Sequence, residues 1–234
     1  MMRYSSWKSA IAVLAVVGLA ACKTTGPDPN RAIAPTATEP PPGALVAEAW
    51  TKPPVGAKWV FSTDGEVSTS ERLPDGTHGG RRVLRIAGSD GGMNLFDPDT
   101  GNWIATLDDR GIELRSAAPD IGDNNWPLFA GKTWTAEFTY RNRDPSFTID
   151  GMTTFWRVEA EEEVTVPAGT FKTLRLQSRP GHRNAVLITR WYAPELGLNV
   201  KRHYQRTNRH YRGASDVFER VLVSYSLLAA PATN

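Results

Sequence analysis

The sequence predicts a mainly β fold: a single antiparallel curved sheet closing towards a barrel, half-barrel or sandwich. Three observations predict it. Apolar and polar residues alternate along many short runs, turn formers separate those runs, and no stretch sustains helical spacing with caps. Lys58-Trp59-Val60-Phe61-Ser62 and Arg82-Val83-Leu84-Arg85-Ile86 both alternate. In the run from Thr133 to Tyr140, Trp134, Ala136, Phe138 and Tyr140 share one face, and Thr135, Glu137 and Thr139 share the other. That is the pattern of an antiparallel strand with one buried face. Further strands are expected at 102–107, 111–115, 149–166, 171–178, 185–193, 198–206 and 216–228. Turns are expected at Asp75-Gly76, Gly79-Gly80, Asp90-Gly91-Gly92, Pro98-Asp99-Thr100-Gly101 and Asp109-Arg110-Gly111. Pro54 to Phe61 echoes Gly131 to Ala136, each with a glycine three residues before a tryptophan. The echo reads as a shared way of starting a strand.

The first twenty-two residues have a different character. Arg3 and Lys8 precede an apolar run from Ile11 to Ala21, broken only by Gly18. A positive start, a short apolar stretch and small residues form the order of a secretory signal. The run is shorter than the roughly 20 apolar residues that span a bilayer. It ends in Leu19-Ala20-Ala21-Cys22, which resembles the bacterial lipoprotein box. The resemblance implies that Leu19, Ala20 and Ala21 guide a peptidase, and that Cys22 carries lipid and begins the mature chain. Cys22 is also the chain's only cysteine, so it has no internal disulfide partner. Lipid on Cys22 would hold the protein to a membrane, because each buried methylene contributes about 0.8 kcal/mol. Lys23 follows it. In a Gram-negative host the resemblance implies the outer membrane, facing the periplasm.

Residues 22–43 read as a tether, with prolines at 27, 29, 35, 40, 41 and 42. The β-domain is expected over 44–230. Arg3 and Lys8 leave with residues 1–21, so 27 basic residues become 25, equal to the 25 acidic ones. A mature chain without net charge argues against general nucleic-acid binding.

Two segments of the β-domain share one order of elements. Val164-Thr165-Val166-Pro167-Ala168-Gly169-Thr170-Phe171 has the order strand, turn, strand, and so does Trp191-Tyr192-Ala193-Pro194-Glu195-Leu196-Gly197-Leu198-Asn199-Val200-Lys201. These segments resemble a group of bacterial envelope proteins, and Gly131-Lys132-Thr133-Trp134 fits the same pattern. The likeness covers residues 126 to 226 and implies an antiparallel β-domain. It carries no catalytic residue, since the recurring residues are turn formers and core aromatics.

Candidate chemistry is sparse. No G-x-S-x-G elbow is present, and His78, His182, His203 and His210 are scattered among loop-type residues. Asp97-Pro98-Asp99-Thr100-Gly101 opens like a calcium loop, but Trp103 and Asp108 stand where later ligands belong, so a hairpin turn is the expectation. Glu159 and Glu161 to Glu163 read as a solvated strand end. Seven tryptophans after the signal read as core packing, with a ligand groove as the competing reading. Lys201, Arg202, Arg206, Arg209 and Arg212 cluster, and a hairpin around Thr207 to Gly213 would gather them at one tip as an anionic-ligand patch. The expectation is therefore a non-enzymatic envelope lipoprotein without metal or cofactor, binding a lipid or an acidic partner. An assembly module docking on another envelope protein is the alternative.

Overall fold

The computed structural model describes residues 36–210 and 215–227. They form twelve strands: β1 (Lys58–Thr63), β2 (Glu66–His78), β3 (Arg81–Gly88), β4 (Met93–Phe96), β5 (Trp103–Leu107), β6 (Glu113–Ala118), β7 (Thr133–Asn142), β8 (Phe147–Val166), β9 (Gly169–Pro180), β10 (Val186–Ala193), β11 (Leu198–Arg206) and β12 (Ser215–Ser226). Each strand pairs antiparallel with the next, and β12 returns to β1, closing one barrel. The closing ladder runs from Lys58↔Ser226 to Thr63↔Arg220, with one irregularity after Val60. The fold class read from the sequence is the one observed.

Up-and-down order sends successive connections to alternate ends. One end carries the turns at 79–80, 97–102 and 194–197, the loop 119–132 and the Pro167-Ala168 turn. The opposite end carries 64–65, 89–92, 108–112, 143–146, 181–185 and the turn that follows β11. The first end is sealed. A barrel of about eight strands is just filled by its own side chains, so twelve leave room for more chain. Residues 36–57 supply part of it. Thr36 and Ala37 bond the chain around Gly131 and Thr133, Ala47 bridges Leu128, and Leu45 N–H donates to Glu161 at 2.7 Å. Trp50 Nε1 donates to the Gly197 carbonyl at 3.0 Å, and Thr51 Oγ1 to the Pro194 carbonyl at 2.8 Å. Thr36 and Ala37, inside the stretch read as tether, thus already contact the barrel.

Strands with one apolar face bury that face inwards. Phe138, Met152, Trp156, Val158, Leu174, Leu176, Ile188 and Tyr192 form the main core, with Trp134 and Tyr140 packed on it. Trp59, Phe171, Trp191, Val200 and Leu222 form a second cluster. Here the Pro167-Ala168 turn reaches across to β12, where Ala168 N–H bonds the Leu222 carbonyl. Val83, Leu95, Ile104 and Ala105 make a third, smaller cluster, which register sets on the outer side of β3 to β5, opposite the inward row Ile86, Asn94, Thr106 and Arg115. All seven tryptophans of the barrel and its leading segment belong to or pack on the first two clusters, as core packing required.

The glycine echo has a structural basis. Gly56 and Gly131 both take positive φ, at 85° and 93°, and each N–H bonds a carbonyl of a neighbouring strand, Arg72 and Val158 respectively. One strand was not anticipated. β2 reads as polar, Glu66-Val67-Ser68-Thr69-Ser70-Glu71-Arg72, and Asp75-Gly76 is no turn. It lies inside β2, where the ladder to β3 slips between Leu73 and Gly76. The Gly79-Gly80 turn follows as expected.

Gly197 fixes how the leading segment docks. Its φ is +67°, and a Cβ there would overlap the Thr51 carbonyl oxygen. Gly65 also has positive φ, but nothing lies within 4 Å of its missing Cβ. Gly197→Ala is expected to cost well over about 1 kcal/mol, the size of a glycine effect without steric overlap. In thermal unfolding its Tm should fall several degrees further than that of Gly65→Ala. Equal Tm values would show that the segment does not press on the turn.

Candidate functional site: the barrel interior

Cross-strand partners share a face, so register tells which residues look inwards. Arg190 of β10 faces Arg202 of β11, and Arg202 faces Arg220 of β12. Arg190 also pairs with Leu176 of the main core, which sets this row on the interior side. One step towards the unsealed end, Ile188, Tyr204 and Phe218 form the next inward row. Tyr204 and Phe218 stack with ring centres 4.6 Å apart. One step the other way lies sealed apolar packing, including Val200 and Leu222.

Three guanidiniums thus stand side by side within a closed sheet. Arg190 is buried, 3% exposed. Its partners come from the loop 119–132, which folds into the sealed end. Arg190 donates to the Asp123 carbonyl and, at 2.9 Å, to Asn124 Oδ1, and its Nη1 lies 3.5 Å from the Asp123 carboxylate. The other side packs on the Trp156 ring at 4.7 Å. Arg220 covers the Phe61 ring at 4.0 Å. Among the described residues no carboxylate lies within ion-pair distance of Arg202 or Arg220. The Nε atoms of Arg190, Arg202 and Arg220 are all buried without a hydrogen-bond acceptor.

The electrostatics follow from that crowding. Desolvation by burial lowers the pKa of all three arginines. Asp123 opposes the shift at Arg190 and Arg202, while Arg202 adds to it at Arg190 and Arg220. Arg220, with burial first and Arg202 second, is pushed down to about 10. A guanidinium is effectively always protonated, and among the described residues Asp123 is the one carboxylate within ion-pair distance of this row. Burial likewise pushes the Tyr192 phenol, one step above Arg190, up to about 12.

Part of the interior is reached by solvent from the unsealed end. Phe61, Arg202, Tyr204, Phe218 and Arg220 face inwards yet remain part-exposed. Inward-facing side chains that keep accessible surface border solvent-sized space. The outer wall across β7 to β12 is mixed but mostly polar: Glu137, Thr153, Arg157, Gln177, Arg179, Thr189, Lys201, His203 and Glu219 face out, with Phe155, Leu187, Trp191, Val217 and Val221 among them. Such a wall suits water; a lipid-facing barrel carries an apolar band. No described helix is long and apolar enough to cross a membrane.

The loop that feeds Arg190 is itself held by residues that sequence reading undervalued. Lys132 Nζ bonds the Pro127 carbonyl at 2.7 Å and both oxygens of Asn125. Trp126 Nε1 bonds the Thr100 carbonyl, and Trp134 Nε1 the Gly122 carbonyl. The G-K-T-W segment therefore fastens the loop. Asp97 is likewise structural. One carboxylate oxygen accepts from Asp99 N–H, Thr100 N–H and Thr100 Oγ1, and the other takes Arg81 at 2.6 Å. This is the hairpin turn expected from its sequence.

The basic patch has to be redrawn. Strand alternation divides it. Lys201 points outwards, bonded to Glu219 at 2.9 Å and lying over the Trp191 ring. Arg202 and Arg206 point inwards. Arg209 sits in the turn after β11 and bonds the Asn184 carbonyl at 3.3 Å. Arg212 lies outside the described residues, as do Leu19, Ala20, Ala21 and Cys22. No single tip gathers the described members. Sequence reading missed Arg190 and Arg220, which join Arg202 from other strands. A signal was present: Arg190 is the one charge in Val186-Leu187-Ile188-Thr189-Arg190-Trp191-Tyr192-Ala193. The acidic run was also undervalued, since Glu161 accepts from Leu45 and Glu162 holds the Trp191 indole and Arg175.

No family model matches the chain, and no curated protein matches it. Some solved structures are similar to it. One is the hypothetical lipoprotein YmcC of Escherichia coli, 10% identical with a TM-score of 0.40, covering 75% of this chain and 85% of its own. Another is described as a lipoprotein of Parabacteroides distasonis, 13% identical with a TM-score of 0.34, covering 76% and 99%. A third is described as an exported protein of Bacteroides fragilis with a YmcC-like fold, 12% identical with a TM-score of 0.33, covering 76% and 99%. At this level of similarity they carry no argument about this chain.

Asp123→Asn is expected to destabilise the protein by about 2 kcal/mol, because it leaves a buried arginine row without a counter-charge. Urea unfolding at pH 7 measures it. Asp99→Asn is the control: its pairs with Lys52 and Arg82 are exposed and contribute little. Equal effects of the two would contradict the interior placement of the charge.

Proposed function

We propose that this protein is a non-enzymatic bacterial envelope lipoprotein, anchored by lipid on Cys22, whose barrel binds a hydrophobic or anionic envelope ligand. The binding role rests on one observation: Arg190, Arg202 and Arg220 stand in one inward row with a single carboxylate, Asp123, near it among the described residues, and Arg202 and Arg220 keep accessible surface inside a closed barrel. An interior meant only for stability is filled with apolar side chains, since replacing a buried charge by a well-packed apolar group is often neutral or stabilising. The anchor rests on the sequence, with Leu19-Ala20-Ala21-Cys22 at the end of a signal-like run. In a Gram-negative host the outer membrane, facing the periplasm, is the place this reading assigns.

The mostly polar outer face of β7 to β12 supports a domain that stands in water beside the membrane. Thr36, the first described residue, lies at the sealed end. Thr36 lies fourteen positions beyond Cys22, a reach of at most roughly 50 Å at full extension. The assembly-module alternative loses one of its supports, because a closed sheet offers no free edge for strand pairing.

Cys22→Ser is expected to leave an uncleaved precursor without acyl groups. Mass spectrometry of the protein from membranes of an expressing bacterium checks this. Normal cleavage before residue 22 in the variant, or a wild-type mature chain without acyl mass, would contradict the anchor.

A further inference from the structure

We propose that Arg202 and Arg220, backed by Arg190, hold the anionic group of an amphiphile whose apolar part lies along Ile188, Tyr204 and Phe218. The proposal rests on the binding role above and gives it a ligand class and a position.

The argument starts from charge. Arg190 already has a carboxylate, Asp123, and two oxygen acceptors of the inner loop. Arg202 and Arg220 have none within ion-pair distance among the described residues. Two adjacent guanidiniums without a counter-ion repel, at a place where burial weakens solvent screening. A single anion bridging them removes that repulsion and satisfies their N–H groups. Carboxylate and phosphate match a guanidinium fork in size and planarity, with two parallel N–H···O bonds. Their Nη atoms, unlike the buried Nε atoms, keep accessible surface and make no hydrogen bond to a described residue, so the forks have donors to give.

The neighbouring rows then constrain the rest of the molecule. Towards the sealed end the next inward residues belong to packed apolar clusters. Towards the other end lie Ile188 and the stacked pair Tyr204–Phe218, and both rings of the pair are part-exposed. A ligand with its charge on Arg202 and Arg220 therefore extends past an aromatic and aliphatic surface towards the turns at 181–185 and 207–210. Apolar surface buried there contributes about 25 cal/mol per Å². A small free anion uses the arginines alone, whereas a single-chain lipid with a terminal anion uses both rows. Fatty acids and lysophosphatidic acids share that chemistry.

Calorimetric titration of the mature chain, residues 22–234 carrying Cys22→Ser so that no acyl chain of its own competes, tests the proposal. The probes are palmitate, 1-palmitoyl lysophosphatidate, uncharged monopalmitoylglycerol and inorganic phosphate, with lipids below micelle formation. Palmitate or lysophosphatidate should bind saturably, at least tenfold more tightly than both the uncharged ester and phosphate. Arg202→Gln with Arg220→Gln should weaken that binding at least tenfold without lowering Tm, since it removes repelling charges. Arg209→Gln should leave it unchanged. If the double variant falls in Tm, Arg202→Lys with Arg220→Lys keeps the charge and should restore binding in part.

Equal affinity for the uncharged ester, or an unaffected double-glutamine variant, would overturn the arginine assignment while leaving a hydrophobic binder. Phosphate binding as tightly as lysophosphatidate would overturn the amphiphile and leave a free-anion site. Binding of none of the four would overturn the binding role itself.

Discussion

Everything inside this protein depends on the pairing of β1 with β12. The two strands lie more than 150 residues apart in sequence, and their ladder turns an open sheet into a barrel. Left open, each would be an edge with unpaired N–H and C=O groups. Closure also gives the sheet an inner and an outer side, and period-two alternation then sorts every strand residue between them. The same rule sends Lys201 to the polar wall and Arg202 into the interior.

Barrel size sets the second constraint. Twelve strands enclose more than their own side chains fill, and the chain answers at one end with residues 36–57 and the loop 119–132. Those segments bring Trp50, Trp126 and Tyr192 together with the core, and they bring Asp123 to Arg190. The other end is not filled in the same way. The arginine row falls between the sealed apolar packing and the part-exposed inward residues. Burial weakens screening there enough for charge to matter, and the partial exposure of Arg202 and Arg220 keeps them reachable.

Much of the architecture was legible because its signals are local. Alternation marked β1, β3 and β7, and four of the five turns placed from Gly and Asp chemistry are turns. Trp134, Ala136, Phe138 and Tyr140 share an inward face as alternation required. β2 escaped because its seven opening residues include only one apolar side chain, Val67, and Asp75-Gly76 imitates a turn at an irregularity. The site was less legible because it is non-local. Proximity along the chain grouped Lys201, Arg202, Arg206, Arg209 and Arg212, whereas proximity in space groups Arg190, Arg202 and Arg220 through register. Register cannot be read from composition, and the inner loop's Asp123 pairs with Arg190 from 67 residues away.

Amide hydrogen exchange of the β1–β12 ladder tests closure most directly. The amides of Phe61, Ser62, Val221 and Leu222 that point between these two strands should exchange as slowly as those of the β8–β9 hairpin. If they exchange as a free edge does while β8 and β9 stay protected, the sheet is open. The arginine row then faces no enclosed interior, and the account of this protein as a closed binding barrel fails.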